Sequence, residues 1–342
     1  MSLMQLEAAE APAAVARLLA QDGERYAAFG AQLRATPPRS ILTLARGSSD
    51  HAAHYAGYLL MARLGRLVTS LPMSLITLYG ARLDCDGLLS LAFSQSGQSP
   101  DLVLPTQQFA ARGATTLAFV NDTASPLAQA ARWAFGLHAG PERSIAATKS
   151  FIAQMTAGAR LVAAWQGDAA LAAALEALPS ALTEAHASGA AWCVAGVPAL
   201  QAAERLYVVG RGTGLAVAME AALKLKEVCG IQAEALSGAE LRHGPLALVS
   251  AGYPVLMFAP RGPALPGLLA LADDLRQRGA LVLLAAPPGT PGATLPLTEC
   301  ADADLDPIAA IQSFYVLAEA LACARGRNPD QPPHLAKVTR TH

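Results

Sequence analysis

Glu220, Lys224 and Glu227 stand i, i+4, i+7 apart in the run EAALKLKE, so a helix carrying them presents all three on one face. Three charges aligned on an otherwise apolar helix face either water or a wet, polar cavity. The same stretch continues through Glu234 to Arg242-His243-Gly244-Pro245, which holds a histidine in a turn. Carboxylates, an amine and an imidazole gathered this closely are parts for moving protons on a small molecule. Spacing alone gives a plainer expectation: a solvated helix face followed by a surface histidine.

A second set of residues could bind rather than react. Ser94-Gln95-Ser96-Gly97-Gln98-Ser99 follows the apolar run LLSLAF, and Gly47-Ser48-Ser49 follows SILTLA. If both runs are strands of a parallel sheet, these turns lie at strand carboxyl ends, where helices begin and ligands bind. Hydroxyls and backbone N–H groups there, with Gly97 permitting close approach, would cradle a phosphate dianion. Serine and glycine also make ordinary turns and helix caps, and on the residues alone both readings stay open. There is no G-x-x-x-x-G-K-[ST] run, so a nucleoside triphosphate is not indicated.

These groups need a scaffold. Residues 5–34 read as a helical lead-in of one or two helices closed by Thr36-Pro37-Pro38. Ser40–Ala45, Leu88–Phe93, Thr115–Val120 and Ala134–Leu137 read as short buried strands, with another apolar stretch near Leu67–Leu71. Helices are expected after Ser49 to about Leu64, after Asp101 to about Arg112, and from SIAATK (144–149) to about Gln166. The second half repeats this grammar. Leu206–Val209 enters Gly210-Arg211-Gly212-Thr213-Gly214, strands recur at Pro254–Phe258 and Ala280–Leu284, and helices at Leu265–Arg278 and Ile308–Arg325. The fold class is α/β, with a parallel sheet flanked by helices in each half. The expected division is a lead-in at 1–31, domains at 32–172 and 197–332, a linker helix at 173–196 and a tail at 333–342. Residues 328–342 carry no periodic apolar face, so the tail is expected to be held mainly by the site it completes.

Composition narrows the class. A formal net charge of −1 over 342 residues gives no electrostatic case for nucleic acid or an anionic membrane. Hydrophobic residues make up 53% but aromatics only 5%, so alanine and leucine supply a core that suits helices packed on sheets. The apolar runs are broken by glycine and proline, so no membrane span is expected. The start, MSLMQLEAAEAP, lacks the basic-then-apolar order of a signal peptide, and a cytoplasmic location is expected. Five scattered cysteines without a C-x-x-C pair suggest neither a disulfide framework nor a zinc site, and no metal or other cofactor is expected.

SQSGQSPD after a strand, GSS after the first strand, AATKSF opening a helix, and EAALKLKE…AEALSGAELRHGPLAL together resemble the sugar isomerase (SIS) family. Within it, the chain is similar to the isomerase half of glucosamine-6-phosphate synthase and to its catabolic relatives, the amino-sugar phosphate deaminases. The resemblance covers nearly the whole chain. It implies two flavodoxin-like SIS domains, a hexose or hexosamine 6-phosphate ligand, and an active site shared across a homodimer.

Position by position, the resemblance assigns Gly47, Ser48, Ser49, Ser94, Gln95, Ser96, Ser99 and Ala147 to sugar-phosphate binding. It makes Glu227 the base that carries a proton between C1 and C2, a task one carboxylate can perform on one face of an enediol or enolamine. His243 would open the sugar ring from the partner subunit, an act suited to an imidazole near neutral pH. Lys337 would form an imine with the open-chain ketose. Glu220 and Lys224 would line the same site and orient Glu227.

Two departures separate the chain from the synthase pattern. Ala147 stands where the synthase usually has a serine, and Pro333-His334 replaces arginine and asparagine before a Lys-Val-Thr-x-Thr ending. No glutaminase domain is expected ahead of Ser40. The expected activity is therefore conversion of glucosamine 6-phosphate to fructose 6-phosphate and ammonia. Synthesis of glucosamine 6-phosphate from free ammonia or with a partner glutaminase is one alternative. A non-catalytic sugar-phosphate sensor is another, and it would have no need of Glu227, His243 and Lys337 together.

Overall fold

The computed structural model describes residues 1–337. Val338, Thr339 and Thr341 of the ending noted above lie outside the described residues. In chain order the strands are β1 (Ser40–Leu44), β2 (Val68–Ser70), β3 (Leu88–Ser94), β4 (Thr115–Val120), β5 (Trp133–Gly136), β6 (Arg205–Gly210), β7 (Gln232–Ser237), β8 (Pro254–Phe258), β9 (Leu281–Ala286) and β10 (Leu295–Pro296). The helices are α1 (Leu3–Ala9), α2 (Ala11–Ala20), α3 (Gly23–Ala35), α4 (Ser48–Leu64), α5 (Ser74–Thr77), α6 (Pro100–Ala111), α7 (Pro126–Ala130), α8 (Lys149–Gln166), α9 (Ala169–Leu200), α10 (Gly214–Glu227), α11 (Leu265–Gln277) and α12 (Asp306–Ala324).

The chain divides into two compact units. Among the described residues, the first holds Ala13–Glu142, Lys149–Glu176 and Ala336–Lys337, and the second holds Met1–Pro12, Arg143–Thr148 and Ala177–Leu335. Each contains one five-stranded, wholly parallel sheet, ordered β2-β1-β3-β4-β5 in the first and β10-β9-β8-β6-β7 in the second. Counted from its own first strand, each sheet has the order 2-1-3-4-5, the flavodoxin-like arrangement. Strand order reverses between β1 and β3, and again between β6 and β8, which makes a crevice at the carboxyl ends of those strands.

In the first unit, β3 is buried along its whole length and β4 at all positions but Thr115, as central strands covered on both faces must be. Phe93, Phe119 and Phe135 from three strands meet Tyr26 and Phe29 of α3, with Tyr26 stacked on Phe135 at 4.1 Å. The Arg160 guanidinium lies 4.3 Å above the Tyr26 ring and donates to the carbonyl oxygens of Leu18, Leu19 and Gln21, so it satisfies the end of α2. In the second unit, Tyr207, Val209, Val255, Met257 and Leu284 of the sheet pack on Leu268, Leu271 and Leu275 of α11.

Several sequence expectations needed correction. The lead-in is three helices, and the helix expected at SIAATK (144–149) starts only at Lys149. Strand β7 was not foreseen: an edge strand of the sequence QAEALS, with exposed Gln232 and Glu234 alternating with Ala233, carries little apolar signal. The tail is not held by a site alone. Asp330 accepts the backbone N–H groups of Leu3 and Met4 at 2.7 and 2.8 Å, a carboxylate at the positive end of α1, and Pro329 and Pro332 are buried. Among the described residues, one segment, Ala303–Ala324, is long and apolar enough to cross a membrane, and 78% of its most apolar window is buried inside the protein. It is a core helix.

Candidate active site

In the first unit, the short link from β1 to α4 turns at Gly47, whose φ of 53° and ψ of −133° suit glycine and strain other residues. The link from β3 to α6 is tied to itself. Ser94 Oγ accepts the Gly97 N–H at 3.0 Å, and Ser96 Oγ accepts the Gln98 N–H at 3.3 Å. Gly97 has φ of 64°, and a Cβ there would lie 2.2 Å from Ser125 Oγ. Both the dihedral and the space therefore demand glycine. Ser99 is the N-cap of α6 in an extended conformation and makes no side-chain capping bond, so its hydroxyl is not used to close the helix.

The two links enclose a cavity of about 330 Å³ at the strand-order reversal. Gly47, Ser49, Ser94, Gln95, Ser96, Ser99 and Lys337 all line it, as do Arg46 and Asp101. Ser48 starts α4 and is not among the lining residues, nor is Ala147, whose segment belongs to the second unit. Asp101, buried in the first turn of α6, accepts from Arg46 Nε at 2.9 Å and so aims a half-exposed guanidinium along the cavity wall. Hydroxyls, backbone N–H groups at a helix N-terminus and one oriented guanidinium are the donor set for a phosphate-sized anion.

Lys337 reaches the same cavity through an ion pair. Its Nζ lies 3.0 Å from Glu142 Oε2, and the Glu142 side chain is fully buried. The Glu142 carboxylate also accepts the Ser150 N–H at 3.0 Å and the Ser150 hydroxyl at 2.6 Å.

In the second unit the charged trio is not a solvated face. Glu220 is 0% and Lys224 1% exposed, while Glu227 keeps 20%. Lys224 Nζ sits 3.5 Å from Glu220 Oε1 and donates to Glu227 Oε2, so one ammonium separates two carboxylates. The Tyr315 hydroxyl of α12 donates to Glu220 Oε1 at 3.4 Å. Buried charge is tolerable only with such partners, and here the buried ammonium fixes the one carboxylate that still meets solvent. That exposed carboxylate can take a proton from a small molecule and return it. His243 closes the turn Glu240–Arg242 and is exposed; its ring makes no hydrogen bond or ion pair with Glu220, Lys224 or Glu227.

Arg46, Asp101 and Glu142 supply charged partners at and beside the first unit's cavity, and sequence reasoning assigned them no role. Arg46 could have been flagged by its place beside Gly47 at a strand end. Glu142 had no signal: a lone acid in an irregular segment, its partners 8 and 195 residues away.

The family model of the SIS domain matches residues 36–164 and 199–294. The chain is 33% identical over 323 residues to a glutamine–fructose-6-phosphate aminotransferase [isomerizing] of Aeropyrum pernix, covering 87% of this chain and 50% of that protein. It is 35% identical over 305 residues to the protein of that name in Halobacterium salinarum, covering 86% and 50%. The chain thus spans about half the length of these relatives. Among solved structures, a candidate phosphosugar isomerase of Silicibacter pomeroyi superposes with a TM-score of 0.88 at 41% identity, covering 96% of this chain and all of that one. A glucosamine-6-phosphate deaminase of Thermotoga maritima shares the fold at a TM-score of 0.78 and 21% identity, covering 99% and 100%. With every strand of both sheets except the short edge strand β10 inside the matched spans, and those spans covering more than half of the chain, this chain belongs to the SIS domain family.

Proposed function

We propose that the chain is an amino-sugar phosphate deaminase and isomerase that converts glucosamine 6-phosphate and water to fructose 6-phosphate and ammonia. The observation that carries this reading is the meeting of the small-donor turns (Gly47, Ser49, Ser94–Ser99) and Lys337 on one cavity. A phosphate anchor would hold the sugar, and an amine beside it could assist ammonia release by exchanging with the sugar's nitrogen before water completes the hydrolysis.

In this reading Arg46 and the two turns hold the phosphate, while His243, acting from a second copy of the chain, opens the ring. Glu227 then removes the C2 proton and returns it at C1, leaving an iminium at C2. Lys337 adds to C2 and expels ammonia, and water frees the ketose from the lysine imine. The relatives' names support the alternative, synthesis of glucosamine 6-phosphate from free ammonia or with a separate glutaminase.

Purified protein offered a panel of hexosamine 6-phosphates, with ammonia and ketose phosphate assayed separately, tests the reading. Activity only on plain aldose phosphates, with no ammonia from any amino sugar, would replace it with simple isomerisation. Glu227→Gln should abolish turnover and leave sugar-phosphate binding within about twofold, because the amide keeps its size but cannot accept a proton.

A further inference from the structure

The geometry points to Glu142 as the residue that positions Lys337 and accepts its proton before the lysine attacks the sugar. The inference rests on the reading of Lys337 as the imine-forming amine. An ammonium has no lone pair, so Lys337 must lose a proton before it can add to C2. Glu142 Oε2 lies 3.0 Å from Nζ, within proton-transfer distance. The carboxylate is fully buried, and Ser150 holds it by the backbone N–H and by the hydroxyl, at 3.0 and 2.6 Å. Two bonds from one residue fix both oxygens, which leaves Oε2 aimed at a lysine that lines the phosphate cavity.

The proton balance closes. Glu142 takes a proton from the Lys337 ammonium, and the neutral amine adds to the C2 iminium. A proton shifts from the lysine nitrogen to the sugar nitrogen, the C2–N bond to it breaks, and ammonia leaves. The proton on Glu142 departs with it as ammonium. Water then adds to the lysine imine, and expulsion of the lysine regenerates the ketone and the Lys337 ammonium opposite an ionised Glu142. Ser150 serves as a further positioning residue, since its two donors keep the carboxylate from turning away.

Borohydride trapping of fructose 6-phosphate on Lys337, read by peptide mass mapping, tests this in the whole chain. Glu142→Gln should slow trapping about 100-fold, the low end of what a positioned proton acceptor contributes. Its residual rate should climb with pH, because solvent must then take the proton, while the wild-type rate stays level near neutrality. Binding of glucitol 6-phosphate, which cannot form an imine, should be unchanged. Trapping in Glu142→Gln as fast as or faster than wild type overturns the inference. If the variant also loses glucitol 6-phosphate, Ser150→Ala decides: slowed trapping with intact binding supports the role, and unchanged trapping ends it. Should the wild type turn over without ever trapping, the imine reading of Lys337 falls. The positioning claim is then judged by amide exchange at 334–337, which should rise alike in Glu142→Gln and Lys337→Ala; no rise refutes it.

Discussion

Replacing Lys224 by methionine removes the ammonium between Glu220 and Glu227 at nearly constant volume. With an effective dielectric constant of about 20, two unit charges 3.5 Å apart attract by about 5 kcal/mol. Desolvating the lysine offsets part of that, and removal of one partner from a buried pair typically costs about 3–5 kcal/mol. The Tyr315 hydroxyl still donates to Glu220, so a loss near the low end, about 3 kcal/mol, is expected. Because the chain has two units, the measurement must report on the second alone. Trp192 lies there, whereas Trp133 and Trp165 lie in the first unit, so urea unfolding followed by Trp192 fluorescence in a Trp133→Phe, Trp165→Phe background isolates it. The double variant Glu220→Gln, Lys224→Met should recover at least half of the loss, since replacing both members of a buried pair is far milder than orphaning one. A single-variant loss below about 1 kcal/mol, or a double variant no better than the single, would refute the claim that Lys224 is a counter-ion.

Three further outcomes follow from particular contacts. Gly97→Ala combines an unfavourable φ with a Cβ 2.5 Å from Ser125 Cβ, so it should destabilise the first unit by about 2–4 kcal/mol. Gly80→Ala, with φ of 60° and open space, should cost only about 1 kcal/mol, and equal losses in a melting experiment would remove the clash from the account. Asp101→Asn should weaken inorganic phosphate binding about tenfold by calorimetry, as expected for loss of a charge-assisted hydrogen bond that aims Arg46; unchanged affinity would show that Arg46 does not meet the anion. Burial pushes the Cys229 and Cys300 thiols up to about 12, so at pH 8 almost none is thiolate and iodoacetamide should spare both in the folded protein while reacting at exposed Cys323. Early labelling of Cys229 in a mass-mapped time course would contradict that packing.

The α/β class and the central strands were legible because a strand buried on both faces must be an unbroken apolar run. Thr115–Val120 and Pro254–Phe258 were located to the residue for that reason. The small-donor turns were legible too, since a tight strand-to-helix link admits few residue types, and Gly47 and Gly97 mark it with positive φ values that glycine adopts easily. Spacing put Glu220, Lys224 and Glu227 on one face. Whether that face met water or the core was decided by α12, whose Tyr315 packs at Glu220 and which lies far along the chain. Edge strand β7 escaped detection because an edge needs little apolar area.

What the linear chain could not contain is pairing at long separation. Asp330 belongs to the start of α1, and Glu142 belongs to Lys337, because the fold brings together a lone acid and its donors from distant segments. No periodicity or composition records such a pair. Local sequence determines which backbone shapes and helix faces are cheap, but a buried charge is stable only beside its partner, and the partner is chosen by the tertiary structure.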